Sequence, residues 1–251
     1  MHKFFAKTQF LGKKVLFLSQ CHSTNDMAAD LLKEKPQIEG TTIITKNQTQ
    51  GRGQRGNIWE SEPGKNVTFS VILKPTTIPT QIQFQLHLIT TLAIYQTLFP
   101  ILGKELKIKW PNDIYYRDRK LGGILIENAL KGSHIENSIV GIGINVNQSH
   151  FSNVHATSLS DITDTSHEVN DLIELILIEL EKKYLELKGG KLKMLEAQYL
   201  RRLYQFEVMS MYEADGHIFQ GKIIGINPNG LLQIQENEKL HEFAFKEVVY
   251  R

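Results

Sequence analysis

The sequence of 251 residues predicts an α+β protein, with a main domain over residues 1–204 and a small β-barrel module over residues 205–251. Three observations predict this. The longer stretch runs strand, helix, strands, helix and then several strands, an order that gives a sheet with segregated helices. From Phe206 onward the pattern changes to short strands, with turn signals at Ala214-Asp215-Gly216 and Asn227-Pro228-Asn229-Gly230. The whole chain is long enough to bury a sizeable core. The last 46 residues alone are too few for a secure one, so the module should pack on the main domain.

Each element has a local reason. Val15-Leu16-Phe17-Leu18 is an apolar run that reads as a strand. Ser23 or Thr24 can then cap a helix whose apolar positions Met27, Ala28, Leu31 and Leu32 keep helical spacing. Thr41–Thr45 and Val67–Leu73 are rich in β-branched residues and read as strands. Pro79 and Thr80 open a helix to about Leu98, with Ile82, Leu86, Ile89 and Ala93 as its apolar stripe. Leu106–Trp110 alternates apolar with charged, which suits a half-exposed strand. Asn112–Tyr116, a turn at Arg117-Asp118-Arg119 and Lys120–Ala129 form a hairpin, and Ile139–Val146 returns as another strand. Helices follow at about 170–187 and 191–203, parted by Gly189-Gly190.

Bulk properties narrow the function. Hydrophobic content of 41% and charged content of 22% are ordinary for a globular protein. A net charge of +2 is too small to make nucleic acid or a membrane the main partner. The single cysteine, Cys21, excludes an internal disulfide and fits a reducing compartment. No run approaches the ~18 apolar residues of a membrane span, and the first eight residues lack the apolar core of a secretion signal. A cytoplasmic protein is expected. The histidines show no metal-ligand spacing, and no Ser-His-Asp or Cys-His arrangement stands out.

The chemistry concentrates in Gly51-Arg52-Gly53-Gln54-Arg55-Gly56, a loop whose backbone N–H groups and arginines suit phosphate or carboxylate. It matches G-x-G-x-x-G, but that dinucleotide fingerprint must open a helix. Here Pro63 and Gly64 stand where the helix would be, and the β-rich 66–73 run follows. The loop therefore joins two strands. Taken singly, each has a plainer alternative: a solvated loop arginine for Arg52, an edge lysine for Lys120, core filling for Trp59, a turn cap for Asp113 and an N-cap for one of Ser23 and Thr24.

Taken together they form a pattern. Ser23-Thr24-Asn25 leads, and Gln48-Thr49-Gln50 runs into the glycine loop, with Trp59 and Ser61 beyond it. Lys109-Trp110-Pro111-Asn112-Asp113, Lys120-Leu121-Gly122-Gly123-Ile124-Leu125-Ile126-Glu127 and Gly141-Ile142-Gly143-Ile144-Asn145-Val146-Asn147 follow in order. This closely resembles the biotin protein ligases, strongly over residues 15–150 and weakly beyond. The resemblance implies a mixed β-sheet backed by helices, as in class II synthetases, followed by an SH3-like barrel. It implies the monofunctional type, because only about 14 residues precede the first strand, too few for a DNA-binding domain.

The implied reaction joins biotin to ATP as biotinyl-5′-AMP, then passes the biotinyl group to a lysine of a biotin carboxyl carrier domain. Arg52, Lys109 and Lys120 take the catalytic roles. Ser23, Thr24, Asn25, Gln48, Gly51, Arg52, Gly53, Gln54, Lys120 and Gly123 hold biotin, and binding is expected to order residues 51–57. Arg52, Arg55, Trp59, Lys109, Asn112 and Asn145 hold ATP, and Asp113 is the candidate ligand for Mg²⁺. The partner is the carrier domain of a biotin-dependent carboxylase, not nucleic acid or membrane, and a homodimer is left open. One position departs from the family. Gln54 stands where many members have arginine, so either Arg55 substitutes or the adenylate is held less tightly. The rivals are a lipoate or octanoate ligase or transferase of the same fold, and a non-catalytic biotin or nucleotide sensor.

Overall fold

The structure is a computed structural model that describes residues 7–251, apart from the side chain of Arg55. The main sheet contains β1 (Val15–Leu18), β2 (Thr42–Thr45), β3 (Val67–Leu73), β4 (Leu106–Lys109), β5 (Asp113–Tyr116), β6 (Arg119–Lys131) and β7 (His134–Ile144). Among the described residues five α-helices accompany it: α1 (Thr24–Glu34), α2 (Phe84–Leu102), α3 (Leu159–Thr163), α4 (Val169–Lys188) and α5 (Leu192–Leu200). The strand order is β1-β2-β3-β7-β6-β5-β4. β1 and β2 are parallel, with α1 as their crossover, and the other neighbours are antiparallel. The expected mixed sheet is therefore present.

β3 lies between β2 and β7 and is buried at every residue, which is why its sequence is an unbroken run rather than an alternation. α2 packs on the sheet and on α4, and most of its residues are buried. Its start differs from the sequence reading: a 3-10 turn at Thr80–Ile82 comes first, and the helix then runs past Leu98 to Leu102. Gly103, at φ +65, ends it. Contrary to expectation, the 80–105 stretch holds an 18-residue window long and apolar enough to cross a membrane. Most of that window is buried inside the protein, so it serves as a core helix.

The C-terminal sheet consists of β8 (Met209–Ala214), β9 (His217–Ile226), β10 (Leu232–Glu236), β11 (Lys239–Phe243) and β12 (Val249–Tyr250), in the order β11-β10-β9-β8-β12. It is the small SH3-like barrel. One hydrophobic core joins it to the main sheet: Tyr212, Phe219 and Ile223 belong to the same cluster as Leu86, Ile108 and Trp110. The Trp110 indole donates to the Gly230 carbonyl at 3.0 Å. Gly230 has φ +88, and a Cβ there would lie 2.6 Å from the Phe84 ring. Only glycine suits both demands.

Two details depart from the sequence reading. α3 was not foreseen; Ser158 caps it, accepting from the Asp161 N–H at 3.2 Å. α5 stops at Leu200 instead of 203, and the chain beyond runs along β4. Ile108 N–H donates to Arg202 O at 2.9 Å, and Tyr204 N–H to Ile108 O at 2.7 Å. These bonds cover what would otherwise be an open sheet edge.

Candidate active site

Two openings meet at the centre of the main sheet. The first is a pocket, partly open to solvent, bordered by Ser23, Thr24, Asn25, Gln48, Arg52, Trp59 and Lys120, with Gly123, Gly141 and Gly143 also lining it. The second is an open cleft of about 1450 Å³ bordered by Gln48, Gly51, Trp59, Lys120, Asn145 and Phe151. Lys120, Trp59 and Gln48 border both.

The glycines of β7 explain a motif that says little by itself. A Cβ on Gly141 would lie 2.3 Å from Asn25 Oδ1, and one on Gly143 would lie 2.5 Å from Trp59 Cε2. Their missing side chains let an amide and an indole lie directly on the sheet.

A chain of polar contacts ties together Thr24, Asn25, Gln48 and Arg52 of the first cavity's wall from behind. Gln48 Oε1 accepts from Thr24 N–H at 2.8 Å and from its hydroxyl at 3.2 Å. The Ser70 hydroxyl sits 2.7 Å from Thr24 Oγ1 and donates to Asn25 Oδ1 at 2.6 Å. Asn25 Nδ2 donates to Glu127 Oε2 at 2.7 Å. Glu127 also receives the Arg52 fork, from Nη1 at 3.0 Å and Nη2 at 2.9 Å, while Asp26 Oδ1 lies 2.6 Å from Nη2. Ser23 is the N-cap of α1, yet its side chain makes no capping bond. Its hydroxyl is thus available to the cavity.

The glycine loop is a tight hairpin. Gly53 N–H donates to Asn57 O at 2.7 Å, Trp59 N–H donates to Gly51 O at 2.9 Å, and a 3-10 turn spans Gln54–Gly56. No α-helix follows, in line with the rejected dinucleotide reading. These bonds and the Arg52 fork hold the loop in this conformation. Gln54 Nε2 lies 3.4 Å from His87 Nε2. Burial pushes the His87 pKa down to about 4, so the ring is neutral at physiological pH. Arg55, the candidate substitute for the missing arginine, has its side chain outside the described residues.

Lys120 Nζ lies 2.7 Å from Asp113 Oδ1. The lysine is not an open edge residue: its N–H donates to His155 O at 2.7 Å, and its carbonyl accepts from Thr157 N–H at 2.9 Å. The Asn112 and Asn145 amides are largely committed to backbone. Asn112 Nδ2 donates to Ile124 O and Asn145 Nδ2 to Thr157 O, both at 3.0 Å. Asn112 borders the cavity and Asn145 the cleft, so the two expected nucleotide-reading amides are separated.

A family model described as the biotin/lipoate A/B protein ligase family matches residues 17–145. The chain belongs to this family. It is 31% identical over 242 residues to the bifunctional ligase/repressor BirA of Bacillus subtilis, covering 94% of this chain and 74% of that one. It is 31% identical over 192 residues to the biotin–acetyl-CoA-carboxylase ligase of Mycobacterium tuberculosis, covering 74% and 69%. The solved biotin protein ligase of Aquifex aeolicus, in complex with biotin and ATP, superposes with a TM-score of 0.79 at 27% identity, over 95% of this chain and 99% of that one.

Within this ligase, two expected site residues have other partners. Lys109 borders neither opening. Its ammonium sits over the rings of Tyr115, Tyr250 and Tyr204, 4.5, 4.6 and 5.5 Å from their centroids, where β4 meets the barrel. Burial pushes its pKa down, while Asp113 opposes the shift. Asp113 is engaged by Lys120, and among the described residues no three His, Cys, Asp or Glu side chains gather as metal ligands. A resident Mg²⁺ needs several oxygen ligands, and one carboxylate already paired with an ammonium does not supply them.

Sequence reasoning missed Ser70, Asp26 and Glu127. Ser70 had a signal, a hydroxyl inside the buried run of β3. Glu127 had one too, as the last residue of the Lys120 motif. Asp26 had none beyond its place next to Asn25.

Proposed function

We propose that this ligase joins biotin to ATP, giving biotinyl-5′-AMP and pyrophosphate, and then transfers the biotinyl group to a lysine of a biotin carboxyl carrier domain. The observation that carries the reading is Lys120, the one ammonium bordering both openings among the described residues. An ammonium there can neutralise two anions brought together, the biotin carboxylate on one side and the α-phosphate on the other.

The polar row of Ser23, Thr24 and Gln48 suits a ureido ring, which needs fixed hydrogen-bond partners when buried. The same row disfavours the purely aliphatic or dithiolane tails of lipoate and octanoate, which would leave the buried Ser23 hydroxyl unmet. The nucleotide would occupy the cleft beside Trp59 and Asn145, bringing Mg²⁺ on its phosphates as part of the substrate. In the first step a carboxylate oxygen attacks the α-phosphorus and the bond to pyrophosphate breaks. In the second the acceptor amine attacks the acyl carbon, AMP leaves, and the amine proton passes to solvent. Lys120 exchanges Asp113 for the phosphoryl oxygens as charge develops there. The names of the relatives support this reading, since the Aquifex enzyme holds biotin and ATP and the Mycobacterium relative is named for acetyl-CoA carboxylase. A cytoplasmic location accords with such a partner.

Incubation with ATP and biotin should release pyrophosphate and label an added carrier domain on its lysine. Octanoate or lipoate supporting release as well as biotin does would overturn the assignment. So would release that labels no carrier lysine.

A further inference from the structure

Behind the first pocket, the hydrogens of three side chains follow from the partners they have. Asn25 Nδ2 lies 3.2 Å from Leu125 O and 2.7 Å from Glu127 Oε2. Both are acceptors, so this end of the amide is the donor and Oδ1 points the other way. Oδ1 faces the Ser70 hydroxyl at 2.6 Å. An amide oxygen cannot donate, so the single Ser70 hydrogen belongs to this contact. Ser70 Oγ then meets Thr24 Oγ1 at 2.7 Å with no hydrogen left to give. The hydrogen between those two oxygens comes from Thr24.

Thr24 therefore keeps no hydrogen for a ligand. Its one hydroxyl hydrogen is shared between Ser70 Oγ and the more distant Gln48 Oε1 at 3.2 Å. What Thr24 Oγ1 has left is a lone pair. Gln48 has the opposite sense: its Oε1 accepts from the Thr24 N–H at 2.8 Å, and the two hydrogens of Nε2 find no acceptor among the described residues. Thr24 and Gln48 border the pocket, whereas Ser70 is fully buried in β3 and stands behind them.

We propose that Ser70 is a positioning residue that sets the hydrogen-bond polarity of this wall, so that the ligand ring must bring an N–H to Thr24 and is rejected when it brings an oxygen there. Thr24 can turn its hydrogen toward a ligand only if Ser70 turns its own toward Thr24. Asn25 Oδ1 would then face a bare oxygen at 2.6 Å, in a side chain that is 3% exposed. The cost of the reversal falls on a buried amide. Without the Ser70 oxygen, Thr24 loses only its longer contact with Gln48 when it turns. The proposal rests on the reading above, in which a ureido ring lies against this row, and adds the residue that enforces its N–H.

The test is pyrophosphate release by the full chain and by Ser70→Ala, with biotin and with the two biotin analogues in which a ring oxygen replaces one or the other ureido N–H. The wild-type chain should reject one analogue, the one whose oxygen meets Thr24, more strongly than the other. In Ser70→Ala that larger preference for biotin should shrink about fivefold, the scale of one hydrogen bond, while the preference over the other analogue and the KM for ATP hold. Each preference is a ratio of kcat/KM values within one preparation, so a loss of folded protein cancels from it. A Ser70 that only supported the fold would leave both ratios unchanged, which overturns the proposal, as does an equal fall in both. Wild-type use of both analogues as readily as biotin overturns it too. If the wild-type chain releases no pyrophosphate with ATP and biotin, the functional reading itself fails, and the proposal falls with it.

Discussion

Gly143→Ala probes how closely the site is packed. Gly143 lies in β7 opposite Gly123 of β6 and Thr68 of β3, so alanine suits the extended backbone. The added Cβ would stand 2.5, 2.7 and 3.0 Å from Cε2, Cζ2 and Nε1 of Trp59. Ordinary contact starts near 3.4 Å, so the ring must retreat by 3.4 − 2.5, about 0.9 Å. Trp59 is half-buried and can tilt outward, which places the stability cost at the lower end of the ~1–3 kcal/mol for overpacking. For a chain of this size that is a Tm lowered by roughly 2–4 °C. Activity should suffer far more. Trp59 walls both openings, and a shift of about 1 Å in a positioning wall costs about a hundredfold in rate. Pyrophosphate release and thermal melting give the two numbers. Gly225→Ala is the control, because its Cβ would meet only the flexible end of Gln233 at 2.9 Å. Wild-type kinetics in Gly143→Ala would show that the indole does not depend on this glycine for its place.

Lys120→Ala should slow pyrophosphate release about a hundredfold while changing stability by less than ~1 kcal/mol, because its ion pair is partly exposed; normal release would make the lysine structural. Trp110→Phe removes the donor to Gly230 O, leaving a buried acceptor unmet at a cost of about 1–3 kcal/mol, which a lowered denaturant midpoint would register and an unchanged one would refute. Alkaline pH should unfold the protein. Burial raises Tyr115 and Tyr212 to about 12, Tyr184, Tyr199 and Tyr204 further still, and Tyr250 well above its ordinary value. A folded-state pKa above the unfolded value means their contribution is complete below pH ~10 and lost as pH rises through the folded values. Lys109 acts in the opposite sense, since its folded pKa is lowered and its contribution grows with pH up to about 10.5. It is one lowered group against seven raised tyrosines, Tyr95 included. Tyrosinate absorbance should therefore rise together with loss of circular dichroism, and ionisation of these tyrosines near pH 10 in a folded chain would refute the argument.

The elements were legible where local pattern decides them. The alternation of Leu106-Lys107-Ile108-Lys109 gave β4, and the spacing of Met27, Ala28 and Leu31 gave α1. The same alternation placed Lys107 and Lys109 on one face without saying what lies over that face. For Lys109 the answer comes from Tyr204 and Tyr250, which only the folded chain brings near. Asp26, Arg52 and Glu127 pose the same problem, because their meeting depends on the register of β6 and on where α1 begins. The apolar composition of α2 fits a membrane span and a core helix equally well, and only its surroundings distinguish them. The motif glycines were legible as a pattern, but their purpose became visible only with Asn25 and Trp59 lying against them.

The contacts of Lys109 and Trp110 with the barrel bear on how this protein can be recombined. Lys109 and Trp110 stand within one short motif of the main domain, while Gly230 and Tyr250 belong to the last quarter of the chain. A chimera that borrows a barrel from a relative would inherit half of a joint. Its carbonyl must meet the indole, or that donor is buried without a mate, and its aromatic ring must sit above the ammonium, which otherwise keeps only Tyr115 and Tyr204. Lys109, Trp110, Gly230 and Tyr250 are therefore best exchanged together, as a single graft whose parts lie far apart in the chain.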